Sequence, residues 1–370
     1  QTLYLASGLL DISWLFFGLE EFKLTVSRNT IIKIVTTLMT FIFVRNERDT
    51  WKYTLILAAG TCFSQIYLWA YIKKITDKVK VSFQDLKKHI APILTLFVPV
   101  IAYSIYKVMS KIMIGNMSTY EQVGFYQNAE KIINIPTGVI TALGTVMLPR
   151  MTNLIAQGDN EKAKNYIGVS FKVVTIISAA ISFGLIAIAE VFTPIFFGDG
   201  YEECIILIRL LSITVFFMAW ANVIRTQYLI PQHEDKTYII STFVGAIVNL
   251  IINFLLIPKY DSVGAAIGTV FAEFSVFLIQ FIMVRKELPV ISYMIRQLPY
   301  LIFGGVMCIA VLALSFIMTE SIITIAILVL VGALIYCTLV CVYSSFIKDE
   351  VYLFIKNIFL KISKQVIRFK

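Results

Sequence analysis

The amino-acid sequence predicts an all-α polytopic membrane protein, and three observations support this fold class. Of the 370 residues, 58% are hydrophobic and 15% charged, and the mean hydropathy is +0.83. Soluble domains contain about 45–50% apolar and about 25% charged residues. The apolar residues form long segments, most of them near the roughly 20 residues that a helix needs to cross a bilayer. Segments of about ten alternating residues, which are typical of a transmembrane barrel, do not occur in the sequence.

Eleven apolar segments can be drawn along the chain, and we expect each to form a transmembrane helix. They are residues 2–18, 26–44, 53–72, 90–114, 123–148, 169–196, 204–230, 238–257, 263–284, 298–318 and 322–347. Pro92, Pro99 and Pro136 lie inside segments. Each proline removes a backbone hydrogen bond and allows a bend, which suits a protein that alternates between two shapes.

Lysine and arginine residues are unequally divided between alternate loops. One side carries most of them, including Lys23, Arg28, the 73–88 loop and the tail 348–370. The other side carries only Arg45, Arg48, Lys52 and Lys259. Because cytoplasmic loops of membrane proteins hold an excess of Lys and Arg, we expect the first side and the C-terminus to be cytoplasmic. The net charge of +9 is then a topological signal and does not indicate nucleic-acid binding.

The loops and the rare residue types argue against an enzyme. All loops are short, so we expect no extramembrane domain. The two histidines, His89 and His233, lie at segment edges, and the five cysteines have no paired metal-ligand spacing. We therefore expect neither a metal site nor a cofactor. The chain starts at Gln1 inside apolar sequence, and we expect residue 1 to lie within a helix of a longer protein.

Two segments around a polar turn at Ser118 carry charges at predicted membrane depth. Lys107 and Lys111 precede the turn, and Glu130 and Lys131 follow it. Lys107 is eleven residues before Ser118 and Glu130 is twelve after it. At about 1.5 Å of rise per residue, the two lie at nearly the same height in an antiparallel hairpin. We expect them to pair beside a polar cavity, since charges at that depth face protein or water. Lys111, nearer the turn, could instead reach the headgroups.

Other polar residues lie inside predicted spans. Glu273 is near the middle of its segment, where it either serves as a proton or cation site or forms a buried hydrogen bond between helices. Asn249 and Asn253, four residues apart, and Gln227 are expected to be polar contacts between helices rather than ligands.

A third group lies near the predicted cytoplasmic ends of the spans. Lys33 and Arg225 could reach the headgroups, or they could line a funnel for an anionic headgroup. Arginine suits a phosphate because its planar fork makes two parallel hydrogen bonds. Asp11 and Glu20 are the acidic counterparts near the same mouth.

Several stretches taken together resemble one family, the bacterial oligosaccharide flippases. This family is the polysaccharide-transporter branch of the multidrug/oligosaccharidyl-lipid/polysaccharide exporter superfamily. The resemblance covers nearly the whole chain in order and rests on residues 11–22, 111–115, 123–131, 146–150, 227–231, 249–258 and 264–273.

The resemblance implies a two-lobed bundle like that of the multidrug exporters. Family members typically have fourteen helices, in two six-helix lobes followed by two additional helices, so the eleven segments would be helices 4–14. On this basis we expect residues 1–88 to be the remaining three helices of the N-terminal lobe, and 89–284 to be the C-terminal lobe. The two additional helices and a basic cytoplasmic tail would occupy 285–370.

The resemblance also implies a function. The protein would move undecaprenyl-diphosphate-linked oligosaccharide repeat units across the bacterial cytoplasmic membrane, for capsule, O-antigen or another surface polysaccharide. Alternating access would be driven by H⁺ or Na⁺, and the polymerase and glycosyltransferases of the same pathway would be partners. Relatives often carry an acid where this chain has Ser110, so an ion-coupling role of that acid would be absent here or moved to Glu130 or Glu273.

A charged, hydrated headgroup needs a cationic polar cavity, and the chain offers candidates for each role. The candidate cations are Lys33, Lys107, Lys111, Lys131 and Arg225, and the candidate coupling or structural acids are Asp11, Glu20, Glu130 and Glu273.

Two alternatives stay open at this point. A drug:cation antiporter of the same superfamily would favour acidic residues over lysines in its cavity. A membrane polysaccharide polymerase or glycosyltransferase would need a long exterior loop with catalytic carboxylates or arginines.

Overall fold

The computed structural model describes residues 2–19, 21–72, 75–76 and 82–348, without the side chains of residues 17, 18, 22, 47, 91, 92 and 94–107. Every regular element in these ranges is helical, which confirms the predicted all-α class. The chain divides into two compact units, Gln1–Ala91 and Pro92–Lys370. The predicted assignment of residues to lobes stays a prediction.

The first unit is built on two long helices with short helices before them. Its described helices are α1 (Thr2–Leu9), α2 (Ser13–Gly18), α3 (Phe22–Phe43) and α4 (Thr50–Ile72). Ile12, Phe16 and Leu68 form a small buried cluster. The indole Nε1 of Trp69 donates to the carbonyl oxygen of Leu10 at 2.9 Å and thereby ties α4 to the end of α1.

The second unit is a bundle of long helices. α5 starts in the first unit and runs into the second, and a π-helical turn over Arg225–Leu229 follows α8. The helices are α5 (Phe83–Met117), α6 (Tyr120–Ala156), α7 (Asn160–Phe197), α8 (Glu203–Ile224), α9 (Asp235–Val284), α10 (Val290–Ser315) and α11 (Ile322–Ile347).

Helix α7 lies at the centre of this bundle and packs against α6, α8, α10 and α11. Its buried face contains small residues such as Ala179, Ser182 and Ala187, which allow neighbouring backbones to approach closely. The hydroxyl of Ser182 donates to the carbonyl oxygen of Ser212 on α8 at 2.7 Å. Close packing and interhelical hydrogen bonds therefore hold α7 and α8 together.

Polar caps begin several helices. Thr119, Asp159 and Ser321 precede α6, α7 and α11, and each side-chain oxygen accepts a hydrogen bond from a backbone N–H of the first turn. A hydrogen bond from Lys162 holds the pKa of the Asp159 carboxyl below its usual range. The Asp159 carboxylate lies at the helix end where negative charge is favourable.

Helix α9 is a helical hairpin with a sharp kink. Asp261 has φ 48° and ψ −129°, values outside the helical region. A Cβ atom added at Gly264 would lie 2.6 Å from the carbonyl oxygen of Leu256, and one added at Gly268 would lie 2.1 Å from Oδ1 of Asn253. Gly264 lies opposite Leu256 and Gly268 lies opposite Asn253, so residue numbers rise along one arm as they fall along the other. The two arms are therefore antiparallel and touch at these glycines.

The predicted segments coincide with helices, with differences in detail. Residues 238–257 and 263–284 are the two arms of α9, and residues 2–18 are divided between α1 and α2. Eight described helices are long and apolar enough to cross a membrane, and the count of eleven spans stays a prediction. Lys23 and Arg28 belong to α3 and not to a loop, so assigning both to the loop count was wrong.

The tight contact at Gly268 gives a stability test. Gly268→Ala places a methyl group against the Asn253 amide and breaks buried hydrogen bonds, which we expect to cost about 1–3 kcal/mol. Gly305→Ala on α10 is the control, because a methyl group at that position would have no other atom within 4 Å. Thermal unfolding of the purified protein should give a lower melting temperature for Gly268→Ala alone. Equal melting temperatures for both variants would contradict the close contact.

Candidate functional site

The first polar group of the second unit is an ion pair in the α5–α6 hairpin. Nζ of Lys111 lies 2.9 Å from Oε2 of Glu130, and the two side chains are 25% and 21% exposed. Lys107, the predicted partner of Glu130, has a side chain outside the described residues, so that pairing stays a prediction. Lys111 is one helical turn closer to Ser118, and the long lysine stem spans this difference in height.

A hydrogen-bonded cluster forms around Ser110, the residue that precedes Lys111 in the sequence. Oγ of Ser110 donates to Oδ1 of Asn249 at 3.2 Å, and Nδ2 of Asn253 donates to the same Oγ at 3.1 Å. The Asn253 amide also donates to Oδ1 of Asn249 at 3.0 Å. The three buried residues join α5 to the first arm of α9. Two polar residues at i, i+4 spacing are placed on one helix face, and that face meets α5 here.

Tyr126 connects the ion pair to the second arm of α9. Its hydroxyl and Oγ1 of Thr269 are 2.8 Å apart, and the ring is buried. Glu130 lies one turn after Tyr126 on α6, and Glu273 lies one turn after Thr269 on α9. The Tyr126 hydroxyl lies within electrostatic range of both carboxylates and of Ser110.

The second polar group is a small cavity between α6, α8 and the two arms of α9. Its volume is about 130 Å³, and its polar lining comprises Thr137, Asn222, Arg225, Tyr238, Glu273 and Gln280, with further threonines beside them. A water molecule occupies about 30 Å³ of liquid, so the cavity has room for a few waters or a partly hydrated cation. It is too small for a sugar diphosphate.

The local backbone explains how Arg225 reaches this cavity. It is the first residue of the π-helical turn, and such turns add a residue and re-aim the side chains around them. The guanidinium carbon lies 5.4 Å from the centroid of the Tyr238 ring. Glu273, on the second arm of α9, lines the same cavity and is 8% exposed. A cation and an acid thus line one cavity.

The other predicted residues are not brought together. Lys131 is exposed on α6, and Gln227 is buried in the π-helical turn with no hydrogen-bond partner for either amide atom. In the first unit, Lys33 and Asp11 are exposed. Oδ1 of Asp11 accepts a bond from the Ser13 backbone N–H at 2.8 Å. Glu20 lies outside the described residues.

Sequence reasoning missed Arg28 as a site residue. The side chain is buried, 6% exposed, in the first unit. Its guanidinium donates to the Ser64 carbonyl oxygen at 3.3 Å, the Gln65 side chain at 3.4 Å and the Asn29 side chain at 2.9 Å. The Ser13 hydroxyl oxygen, at 3.4 Å, is a fourth acceptor, and all four are neutral groups. The sequence did contain one sign of this role. Arg28 is the third residue of the apolar 26–44 segment and so lies inside a predicted span.

Asn222 and Gln280 were also missed. Both are buried side chains of the small cavity, and neither Oδ1 of Asn222 nor Oε1 of Gln280 has a hydrogen-bond partner. Two neutral amide side chains therefore line the same cavity as Glu273. No spacing in the sequence links α8 to the second arm of α9, so only the folded chain brings these residues together.

Comparisons with known proteins agree with this arrangement. Residues 2–155 match the family described as polysaccharide biosynthesis protein, and residues 96–255 match the MatE family. A provisionally named O-antigen transporter of Escherichia coli strain K12 is 23% identical over 76% of this chain and 68% of its own. One of Shigella dysenteriae, also provisionally named, is 26% identical over 74% of this chain and 68% of its own.

The fold is also found among solved structures. The lipid II flippase MurJ, in an inward closed conformation, matches with a TM-score of 0.72 at 17% identity. The match covers 88% of this chain and 68% of that chain.

The long apolar helices and the fold define a multi-span membrane protein. Taken with the family matches and the relatives, they confirm the resemblance found in the sequence. This resemblance is to the bacterial oligosaccharide flippases, the polysaccharide-transporter branch of the multidrug/oligosaccharidyl-lipid/polysaccharide exporter superfamily. Because the relatives are transporters by name, the prediction of a non-enzyme is confirmed, and the polymerase or glycosyltransferase alternative is wrong.

Water access to the small cavity can be measured with introduced thiols. In a background with the native cysteines replaced by serine, Thr141→Cys should react with a hydrophilic maleimide, because Thr141 lines the cavity. Val139→Cys is the control, since this side chain is 57% exposed but lies on another face of the apolar helix. It should react at least about tenfold more slowly, because hydrocarbon disfavours the thiolate. Equal labelling rates would contradict a water-filled cavity.

Proposed function

We propose that this protein translocates undecaprenyl-diphosphate-linked oligosaccharide units from the inner to the outer leaflet of the bacterial cytoplasmic membrane. The units would then be used to build a surface polysaccharide. The match of residues 2–155 to the polysaccharide biosynthesis family carries this proposal. The O-antigen transporters among the relatives and the flippase fold support it.

The cations of the chain suit the headgroup of such a lipid. Lys111 in the second unit is partly exposed and held by one acid. Arg28 in the first unit is held by neutral acceptors and lines a cavity of about 700 Å³, large enough for a diphosphate and part of a sugar. Lys33 and Lys131 are exposed and would act at the approaches, and Lys107 keeps its predicted place at the substrate.

The Lys111–Glu130 pair would act as a switch. Both side chains are partly exposed, so the pair can open without leaving a fully desolvated charge behind. A diphosphate oxygen would replace the Glu130 carboxylate as the partner of Lys111. The released carboxylate would then lie one turn from Tyr126, whose hydroxyl is bonded to the α9 arm that carries Glu273.

The small cavity would hold the coupling ion, H⁺ or Na⁺. Glu273 supplies the charge, and the unpartnered oxygens of Asn222 and Gln280 supply neutral ligands. Oxygen donors of this kind suit a hard cation, and a protonated Glu273 would serve equally well for H⁺ coupling. The cavity volume excludes the lipid headgroup, which separates the ion site from the substrate site.

The topology and the partners complete the proposal. We place the C-terminus in the cytoplasm, on the strength of the Lys and Arg distribution between loops. The polymerase and glycosyltransferases of the same pathway would consume and supply the lipid-linked unit.

The match of residues 96–255 to the MatE family favours one second candidate, a drug:cation antiporter. Lys111 and Arg225 distinguish the two functions, because their positive charges would repel an organic cation. Efflux of an organic cation, with no effect on surface polysaccharide, would support this candidate against the first.

Substitution of the ion pair separates a structural from a transport role. In a flippase-deficient strain, Lys111→Ala should abolish surface polysaccharide, because it removes the phosphate ligand. It also leaves Glu130 without its partner at a depth where a charge costs about 2.5–3.5 kcal/mol. Lys111→Arg keeps the charge and should retain partial activity.

The double variant Lys111→Ala/Glu130→Ala is the control for insertion. It removes both charges and should restore normal protein level while leaving transport absent. If the double variant produced normal polysaccharide, the pair would be only a structural contact, and its role in binding would be overturned.

Glu273 is tested by the ion dependence of transport. In proteoliposomes, an imposed H⁺ or Na⁺ gradient should accelerate translocation of a lipid-linked sugar by the wild type and not by Glu273→Gln. The glutamine amide has nearly the shape of the glutamate carboxyl group, but it is uncharged and does not take up or release a proton. Glu190→Gln is the matched control, since Glu190 pairs with Arg209 at 2.8 Å in a partly exposed pair outside this cavity. Gradient stimulation of Glu273→Gln would exclude Glu273 as the coupling group.

A further inference from the structure

A larger cavity lies on the other side of α7, where α10 and α11 pack against it. Its volume is about 700 Å³, and it shares no lining residue with the small cavity. Each wall is one helix face: residues 165, 168, 169 and 172 of α7, and residues 293, 296, 297 and 300 of α10, both at i, i+3, i+4, i+7 spacing. Tyr343 and Ile347 of α11 complete it.

The lining of this cavity is basic and aromatic. It includes Lys172 and Arg296, and the rings of Tyr293, Tyr300 and Tyr343. Among the described lining residues, none is acidic. A phosphate is the ligand that such a combination of ammonium, guanidinium and phenol groups selects.

A buried amide supplies a second, independent observation. Gln297 lines the cavity with only 3% of its surface exposed, and its Oε1 atom has no hydrogen-bond partner. A buried acceptor without a donor costs about 1–3 kcal/mol. A ligand with a hydroxyl group next to its phosphate would supply the missing donor.

The position of the cavity indicates that this ligand is a lipid. α7 and α10 begin and α11 ends at the same end of the bundle, so the cavity lies within about 20 Å of helix rise from their termini. Tyrosine, lysine and arginine are enriched at this depth, where headgroups meet hydrocarbon. Beside it, α10 exposes the apolar side chains of Ile295, Leu298 and Ile302. Acyl chains could lie along these residues.

We infer that this cavity binds an anionic glycerophospholipid with a hydroxylated headgroup, such as phosphatidylglycerol. Arg296 and Lys172 hold the phosphate, the headgroup hydroxyl donates to Oε1 of Gln297, and the acyl chains contact α10. This lipid would brace α10 and α11 against the central helix α7. The site is independent of the transported substrate, because it shares no residue with the ion pair or the small cavity.

Native mass spectrometry of the full chain, titrated with single lipids, tests this inference. The wild type should retain phosphatidylglycerol at an approximately tenfold lower lipid concentration than phosphatidylcholine. Arg296→Ala should remove this preference, and Arg296→Lys should keep part of it. Gln297→Leu, which removes the acceptor for the hydroxyl without removing a charge, should reduce the preference for phosphatidylglycerol over phosphatidic acid. Arg285→Ala is the matched control, since Arg285 lines a neighbouring cavity and not this one.

Several outcomes would overturn the inference. The site would be excluded if Arg296→Ala retained phosphatidylglycerol as well as the wild type, or if Arg285→Ala lost as much of it as Arg296→Ala. Equal retention of phosphatidylcholine and phosphatidylglycerol by the wild type would also exclude it. Displacement of phosphatidylglycerol by millimolar inorganic phosphate would make it a simple anion site. Tighter, Arg296-dependent retention of undecaprenyl phosphate would assign the cavity to the transported class of lipid. If Arg296→Ala fails to fold by circular dichroism, Arg296→Lys and Gln297→Leu decide the question.

Discussion

Polar side chains inside apolar helices must be satisfied by the protein itself or by enclosed water, and the second unit is built around this constraint. Hydrocarbon offers no hydrogen bonds, so polar groups on α5, α6 and α9 are stabilised where they meet one another. The Ser110–Asn249–Asn253 cluster, the Tyr126–Thr269 bond and the Lys111–Glu130 pair are three such meetings. All three join a helix of the α5–α6 hairpin to a neighbouring helix. The apolar surfaces of these helices do not by themselves select one packing arrangement, and the polar contacts do.

Glycine makes this arrangement possible in α9. The two arms of the hairpin can present Asn249, Asn253 and Thr269 to α5 and α6 only if they approach each other closely. At Gly264 and Gly268 the opposite arm occupies the space that a Cβ atom would need. The kink at Asp261 reverses the chain, and the hydroxyl of Ser118 donates to Oδ1 of Asp261 at 2.5 Å. The turn of the α5–α6 hairpin and the turn of α9 are therefore held at the same end of the unit.

The fold class, the helical segments and the family followed from the sequence, because apolar length and motif order are local properties of the chain. The contacts between individual polar side chains did not follow from the sequence in the same way. Counting residues from Ser118 gave Lys107 and Glu130 nearly equal heights, and that pairing stays a prediction. The count did not identify Lys111, whose flexible side chain reaches Glu130 across a full helical turn. Arg28 was counted with a loop although it is the third residue of the 26–44 segment, and the structure places it in α3. Asn222, Gln280 and Glu273 share a cavity through a π-helical turn and an α9 kink, neither of which has a reliable sequence signal.

The size of the α6–α8–α9 cavity constrains how the protein can work. A space of about 130 Å³ is too small for a sugar diphosphate, so in the proposed mechanism the ion and the lipid headgroup would use different ligands. Coupling in this proposal would act through protein groups that both ligands affect. Tyr126 has the required position: it is buried, bonded to Thr269, and one helical turn from Glu130 on its own helix. Glu273 stands one turn from Thr269 on the opposite helix. When a charge at Glu130 gains or loses Lys111 as its partner, the field at Tyr126 and Glu273 changes, and low-dielectric surroundings make that change large.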